Sequence, residues 1–278
     1  MTESLAARTV ALLDAQVPFC LATVVFASGA DVVPGQKLIV LADGAVEGAL
    51  GGGALEAAVR AAALEQLRRE DITLARFTPD GTPLPARRAL RPDDGPVVEL
   101  SLEPMLPPPR LIVVGAGHIA VPLVRFARVL GFHTTVIDDR DRFASRERFP
   151  DADELVVDSF DAAIAAQEIT PWTYLVLVTR GHEHDEMTLR RVVASPAPYI
   201  GMIGSRRRVL LVFQRLAAEG VPEHFLDRIY APIGLDIGGR WPEEIALAIM
   251  AEVVNVRRSG RAQSLSLRHR SYNGQPDG

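Results

Sequence analysis

The sequence predicts an α/β protein whose larger, C-terminal domain is a Rossmann-like, doubly wound parallel sheet and whose smaller N-terminal domain is also α/β. Residues 111–114 are an uninterrupted apolar run rich in β-branched residues, which suits a strand covered on both faces. Gly115 and Gly117 follow at once, and a helical pattern then runs to Gly131. A second strand ends in Asp138, roughly 20 residues beyond the first glycine.

This strand, turn, helix and strand have the spacing of a dinucleotide-binding unit. Gly115 permits the tight turn, and Gly117 has no side chain to keep the backbone away from a pyrophosphate. Ala120 is small enough for close packing of the helix on the strand. Asp138 is placed to accept hydrogen bonds from a ribose diol, which makes NAD(H) a candidate cofactor, although Arg140 weakens that preference. The alternative is a Rossmann-like domain that has lost its nucleotide.

Composition narrows the class of protein. The chain has 278 residues, enough for two domains of ordinary size. Thirty Lys and Arg against 35 Asp and Glu give a net charge of −5, so we expect no nucleic-acid partner. The single cysteine, Cys20, excludes an internal disulfide framework and favours a reducing cytoplasm. No apolar run is long enough to span a membrane, so we expect a cytoplasmic protein without a membrane partner.

Residues 1–103 are predicted to form the N-terminal α/β domain. Apolar spacing and turn residues predict helices and strands in this order: helix 4–16, strands 19–26, 37–41 and 45–50, helix 54–70, and strands 72–77 and 97–102. The Asp43-Gly44 pair predicts a hairpin between two of these strands.

Three consecutive glycines precede the long helix of this domain. Gly51, Gly52 and Gly53 have two interpretations: a crowded turn in which only a hydrogen fits at Cα, or a cradle of backbone N–H groups for a phosphate. Glu56, one turn into the helix, also has two interpretations. Its carboxylate either pairs with a cationic group, or is favoured there by the positive end of the helix dipole.

Residues 104–109 are rich in proline and predict a stiff, extended linker. The second domain is expected over 110–262, followed by a polar, basic tail at 263–278. Strands and helices alternate through the second domain as strand 155–157, helix 160–167, strand 174–178, helix 187–193, strand 199–203, a helix ending at 219, and helix 242–256. In such a sheet the ligand crevice lies beyond the carboxyl ends of the strands.

Polar residues follow two of these strand ends. Residues 179–185 include Arg180, His182 and His184, which are suited to ligand contact; no third ligand lies nearby, so metal binding is not expected. Asp185 can equally cap the next helix.

Gly204, Ser205 and Arg206 follow the next strand and suit a phosphate or carboxylate at a helix start. Arg207 and Arg208 are expected on a solvent face. Asp236 lies in a glycine-rich loop, residues 231–239, that is a candidate binding loop, although a tight structural turn explains its glycines equally well.

Several of these stretches together resemble the XdhC/CoxI family, the accessory proteins that mature molybdenum hydroxylases. The resemblance covers nearly the whole chain, in order. Its motifs lie at residues 21–25, 34–35, 43–44, 51–58, 113–118, 138–140, 179–185, 199–206 and 231–238.

The resemblance implies a homodimeric factor that binds molybdenum cofactor (molybdopterin), assists its sulfuration and inserts it into a molybdenum hydroxylase apoenzyme, with a cysteine desulfurase as a further candidate partner. We therefore expect cofactor contacts from Gly51, Gly52, Gly53, Glu56, Gly115, Gly117, His118, Asp138, Arg140, Arg180, His182, His184, Gly204, Ser205, Arg206 and Asp236. No residue is predicted to ligate a metal or to form a covalent intermediate.

One position departs from the family pattern. The family's glycine run is commonly followed by cysteine, and this chain has Ala54 there. Because a thiolate is the natural soft ligand or sulfur carrier, its loss puts direct sulfur handling by this chain in doubt.

Two other functions are consistent with the residues. One is an NAD-dependent oxidoreductase that uses His182 or His184 for proton transfer. The other is a nucleotide-sensing subunit that docks on a partner enzyme without handling its cofactor.

Overall fold

The computed structural model describes residues 4–85 and 95–263, and the chain divides into two compact units, Met1–Pro107 and Pro108–Gly278. The division falls within the predicted linker. The start of that linker was wrong, however, because Pro104 and Met105 still pair with Cys20 and Phe19 as the end of a strand. Cross-strand pairing therefore continues past the first proline, and the extended connection is shorter than predicted.

The first unit is an antiparallel sheet with two helices. Its elements are α1 (Leu5–Asp14), β1 (Phe19–Ser28), β2 (Lys37–Leu41), β3 (Val46–Gly48), α2 (Gly53–Arg69), β4 (Thr73–Phe77), β5 (Pro83–Leu84) and β6 (Val97–Met105). The strands lie in the order β3-β2-β1-β6-β4-β5, and each neighbouring pair is antiparallel. Ser4 caps α1 by accepting a hydrogen bond from Ala7 N at 3.2 Å.

Helix α2 supplies the core of this unit. Leu55, Val59, Ala63 and Leu67 recur every four residues, so they form one buried stripe against the sheet. Cys20 lies in the same core and is fully buried. Burial raises the pKa of its thiol to about 12.

The second unit alternates strands and helices. Its elements are β7 (Arg110–Val114), α3 (Ala120–Val129), β8 (His133–Asp138), β9 (Glu154–Val157), α4 (Phe160–Ala165), β10 (Thr173–Leu177), α5 (His182–Val192), β11 (Tyr199–Met202), α6 (Arg206–Ala218), α7 (Glu223–Leu226), β12 (Ile229–Tyr230) and α8 (Pro242–Arg257). All five strand pairs are parallel, in the order β9-β8-β7-β10-β11-β12. This is the doubly wound order of a Rossmann sheet, which confirms the predicted fold class.

Both faces of this sheet are covered. Leu111 and Val113 point to one face, where α3 and α8 pack, whereas Ile112 and Val114 point to the other, where α4, α5 and α6 pack. The continuous apolar run of β7 is explained by this two-sided burial, because neither side of the strand meets water.

Three features differ from the sequence prediction. Helix α5 begins at His182 rather than at Met187, so both histidines lie in its first turn. The short elements β5, α7 and β12 were not predicted, because two to four residues carry too little periodicity to detect. Of the predicted basic tail, residues 264–278 lie outside the described residues. No helix in residues 4–85 or 95–263 is both long and apolar enough to cross a membrane.

Two backbones approach closely where β7 ends. A Cβ built on Gly115 would lie 2.7 Å from the carbonyl oxygen of Val178, and Gly115 has a φ of +105°. Gly117 has no comparable restriction. A Cβ built on Gly117 would lie 3.9 Å from the same Val178 oxygen, and no other atom of the described residues beyond its chain neighbours would be closer. Gly115 is therefore required by the fold, whereas Gly117 leaves open space.

We expect Gly115→Ala to lower the free energy of unfolding of the second unit by roughly 2 kcal/mol or more, because it combines a left-handed backbone with a clash against a carbonyl. Gly117→Ala is the matched control and should change stability by less than about 1 kcal/mol. Urea unfolding followed by circular dichroism measures both. Equal losses in the two variants would contradict this account of the turn.

Candidate functional site

The candidate site lies at the carboxyl ends of the two central strands. In the observed strand order, β7 and β10 are the neighbours from which the chain winds in opposite directions. Open α/β sheets bind ligands in the crevice at this point. The residues that follow these strands, 115–118 and 178–181, are therefore the first candidates for ligand contact.

Asp138 ends β8 beside the glycine turn. Its Oδ2 accepts hydrogen bonds from Ala116 N at 2.8 Å and from Arg140 Nη2 at 3.0 Å. Its Oδ1 accepts from Arg140 Nε at 2.8 Å and from Arg140 N at 3.1 Å. Burial alone raises the pKa of this carboxyl, but the hydrogen bonds and charge of Arg140 and the Ala116 N–H outweigh it, so the pKa is lowered. The predicted ribose contact of Asp138 stays a prediction.

Arginine side chains surround one aromatic ring next to this carboxylate. The guanidinium carbon of Arg140 lies 3.5 Å from the centroid of the Phe143 ring, and those of Arg148 and Arg142 lie at 4.9 and 5.4 Å. Arg148 also donates from Nη1 to the carbonyl oxygens of Ala116 and Phe143, at 2.8 and 2.9 Å. A fixed positive charge is thereby anchored at the glycine turn.

Arg180 and the two histidines have different surroundings. Arg180 Nη2 donates to Asp139 Oδ2 at 2.8 Å, which ties the segments after β10 and β8 together. The ring of His184 packs against Phe160, with centroids 4.8 Å apart. His182 is the first residue of α5. The structure therefore keeps Arg180 at the strand ends and turns the ring of His184 toward α4.

Asp185 lies fully buried in the first turn of α5. Its Oδ2 accepts a hydrogen bond from Arg208 Nη2, and its Oδ1 contacts Thr179 Oγ1. Arg208 is therefore an ion-pair partner of Asp185, and its predicted place on a solvent face was wrong. The reason is that α6 starts beside α5, so an arginine in the first turn of α6 reaches the buried carboxylate.

Proton counting indicates how this cluster is bonded. Thr179 Oγ1 lies 2.9 Å from the carbonyl oxygen of Gly181 and also within hydrogen-bond distance of Asp185. A hydroxyl has one proton, so Thr179 shares it between Asp185 and the Gly181 carbonyl while Asp185 is ionised, and protonation of Asp185 would leave that proton to Gly181 alone. Burial, partly offset by Thr179 and Arg208, raises the pKa of Asp185 to about 6.

The segment after β11 opens α6. Ser205 is the N-cap, and its Oγ accepts from Arg208 N at 3.3 Å. Arg206 is exposed, and among the described residues it has no ion-pair partner. Gly204 and Ser205 therefore form a capped helix start at the sheet edge; their contact with a ligand stays a prediction.

The glycine-rich loop begins at the same edge. Ile233 N donates to the carbonyl oxygen of Met202, the last residue of β11. Glu252 of α8 then holds the loop, since its Oε2 accepts from Tyr199 Oη at 2.6 Å and from Gly234 N at 2.9 Å. Asp236 is exposed at the tip of the loop.

In the first unit, the three consecutive glycines all have a positive φ. Gly51, Gly52 and Gly53 have φ values of +86°, +75° and +73°, and a Cβ on any of them would meet no atom of the described residues within 4 Å. The crowded-turn interpretation was therefore wrong: glycine is needed for backbone conformation, not for space. Glu56 Oε2 accepts from Leu50 N at 2.9 Å and Gly52 N at 3.2 Å, so it closes the loop locally and already uses one amide of the predicted cradle.

Comparison with protein families identifies both units. The XdhC Rossmann domain model matches residues 111–253, more than half of the chain. The chain belongs to the XdhC/CoxI family. The model of the XdhC and CoxI family itself matches residues 12–78 of the first unit, so both units carry the family pattern.

Relatives and a solved structure agree with this placement. The chain is 30% identical over 245 residues to the uncharacterized protein YqeB of Escherichia coli K12, covering 87% of this chain and 44% of that protein. It is 34% identical over 152 residues to a probable xanthine dehydrogenase subunit of Bacillus subtilis 168, covering 55% of this chain and 44% of that protein. The chain thus spans less than half the length of these relatives.

A crystal structure described as a xanthine dehydrogenase from Bacillus halodurans aligns with 93% of this chain and 98% of its own, with a TM-score of 0.51 and 23% identity. This likeness supports the fold.

The site of this XdhC/CoxI family chain contains residues that sequence reasoning missed. Phe143, Arg148, Thr179, Arg208 and Glu252 all make the contacts described above. The charged stretch after Asp138 was a signal for Arg148, whereas nothing local marks Glu252. Within residues 4–85 and 95–263, no group of three or more His, Cys, Asp or Glu side chains is arranged to hold a metal ion.

The pKa of Asp185 has a consequence for stability. Because its pKa is raised from 3.8 to about 6, the folded state holds more protons than the unfolded chain between these pH values, and stability falls as pH rises through this window. We expect the free energy of unfolding of wild type, relative to Asp185→Asn, to fall by roughly 2 kcal/mol between pH 4 and pH 7.

Urea unfolding across that pH range measures this difference. Asp227→Asn removes an exposed carboxylate of the same unit and is the matched control, which should track wild type. A wild-type profile parallel to that of Asp185→Asn would contradict the buried-acid assignment.

Proposed function

We propose that this chain is an accessory factor for a molybdenum hydroxylase of the xanthine dehydrogenase type, which holds the molybdenum cofactor and helps insert it into the apoenzyme. Membership of the XdhC/CoxI family in both units supports the role. The observation that carries cofactor binding is the glycine turn at the strand-order reversal, where Gly117 leaves the backbone open to a ligand.

The turn fits the phosphate of a pterin cofactor. Helix α3 begins at Ala120, and no side chain of the described residues caps its first N–H groups, so these donors and the helix dipole are available to an anion. His118 is exposed beside them, and Arg148 adds a positive charge at the Ala116 carbonyl. When bound, the cofactor would supply the molybdenum centre for the hydroxylase; this chain's own residues would bind and shield its phosphate end.

The sulfur chemistry belongs to another protein in this proposal. The chain has one cysteine, and Cys20 is fully buried with its pKa raised to about 12. Ala54 stands where the family commonly has cysteine, at the start of α2. A cysteine desulfurase is therefore the candidate sulfur donor, and this chain would present the cofactor to it. The expected homodimer and cytoplasmic location stay predictions.

The oxidoreductase alternative has less support. The carboxylate of Asp138 is already fully hydrogen-bonded, so it has no free acceptor for the ribose of a nicotinamide nucleotide, and the ring of His184 packs against Phe160.

Reconstitution tests the proposal. Purified chain, molybdenum cofactor and apo-hydroxylase are combined, and cofactor affinity and hydroxylase activation are measured. Gly117→Glu places a carboxylate and bulk in the turn, so we expect roughly tenfold or greater loss of affinity with a matching loss of activation.

Val129→Glu makes the same charge change at the far end of α3, where Val129 is 85% exposed, and should behave as wild type. If wild-type chain has no affinity for the cofactor, or if both variants lose it equally, the proposal fails.

The Cys20 thiol gives an independent prediction. Because it is buried and protonated at neutral pH, we expect no reaction with an aromatic disulfide reagent in the folded protein and full reaction of one thiol in urea. Cys20→Ala should retain cofactor affinity and activation. Loss of activation in a folded Cys20→Ala chain would show that this thiol handles sulfur after all.

A further inference from the structure

The acceptor capacity of Asp138 is fully used within the protein. A carboxylate has about four lone-pair sites, and the four donors are Ala116 N, Arg140 N, Arg140 Nε and Arg140 Nη2, at 2.8–3.1 Å. The side chain of Asp138 is 1% exposed. In a dinucleotide-binding unit the acidic residue at this position receives the hydroxyls of a ribose, and here no lone pair is left for them.

Arg140 is held in place from two sides. Its guanidinium bonds Asp138 through two nitrogens, and its guanidinium carbon lies 3.5 Å from the centroid of the Phe143 ring. Bidentate ion pairs and cation–π contacts of this kind are geometrically specific. A ribose diol would have to displace Arg140 from both contacts and leave a buried carboxylate to be re-solvated or re-paired.

We propose that Arg140 is the specificity-determining residue of the crevice: by occupying Asp138 it excludes nucleotides that dock through a ribose diol, NAD among them, and leaves a site for a phosphate group alone. The pair formed by Asp138 and Arg140 is called the clasp below. The exclusion of NAD depends only on the clasp. The phosphate-bearing occupant rests on the function proposed above.

The charges around the turn favour that occupant. Arg148 is bonded to two backbone carbonyls, and neither it nor Arg142 has a carboxylate partner in the part of the chain that the structure describes. Arg148, bonded at the Ala116 carbonyl before the start of α3, and Arg142, which lies 5.4 Å from the Phe143 ring, are two cations that attract a phosphate. They offer no acceptor to a diol, because a guanidinium carries donors only.

Isothermal titration of the intact chain with NAD tests the clasp. Wild type should show no saturable binding at millimolar NAD. Arg140→Leu keeps an apolar side chain over Phe143 but removes the guanidinium donors, so the freed carboxylate should give saturable NAD binding with a Kd roughly 10- to 100-fold below the highest NAD concentration at which wild type shows none. The double variant Asp138→Asn with Arg140→Leu should lose most of this gain. Saturable NAD binding by wild type as tight as that of Arg140→Leu would overturn the proposal.

A second titration uses inorganic pyrophosphate, and it tests phosphate binding at the turn separately from the exclusion of NAD by the clasp. Arg148→Gln should weaken binding roughly tenfold, whereas Arg128→Ala, a charge-matched change in the last turn of α3, should not. If Arg140→Leu does not fold, Arg140→Gln carries the same NAD test with a smaller expected gain. No NAD binding by folded Arg140 variants would also overturn the clasp, whatever the reconstitution with molybdenum cofactor shows.

Discussion

The close approach of two backbones at the centre of the parallel sheet is the constraint on which the site depends. Gly115 turns directly against the carbonyl of Val178, so the chain leaving β7 passes beside the chain leaving β10 without a side chain between them. This brings Ala116 within hydrogen-bond distance of Asp138 and sets Thr179 against the start of α5. A larger residue at 115 would separate all these groups at once.

Two ion pairs then fix the rim of the crevice in different ways. Asp138 with Arg140 lies within one short segment and stays charged because its donors outweigh the cost of burial. Asp185 with Arg208 joins two helices, and its carboxyl is buried deeply enough that protonation competes with pairing near pH 6. Both carboxyls are buried, which raises the pKa of each. The number of hydrogen-bond donors to each carboxylate decides which of them stays ionised.

The sequence pattern predicted the parallel sheet well because each of its signals lies within one continuous segment: a strand buried on both faces, a glycine turn and an amphipathic helix. It predicted which residues lie at the sheet edge but not what they bond. Arg208 looked like a solvent-facing residue because its partner Asp185 lies 23 residues earlier on another helix. Asp138 was predicted as a ribose ligand from its spacing alone, which gives no sign of its hydrogen bonds with Ala116 N and Arg140. The triple glycine was interpreted as a crowded turn or a phosphate cradle, and the open space around it, which excludes the crowded turn, has no signal in the sequence.

The bond from Glu252 to Gly234 has a mechanical consequence for the loop that follows β11. One carboxylate oxygen clamps both Tyr199 and the base of the loop, while Leu235 N is held by a carbonyl of α8. The base of the loop is thus fixed by hydrogen bonds, whereas Asp236 and Ile237 are exposed. Because these bonds fix the base of the loop, a fluorescent label at Asp236 or Ile237 would report on the exposed part of the loop without replacing a residue that bonds it to β11 or α8.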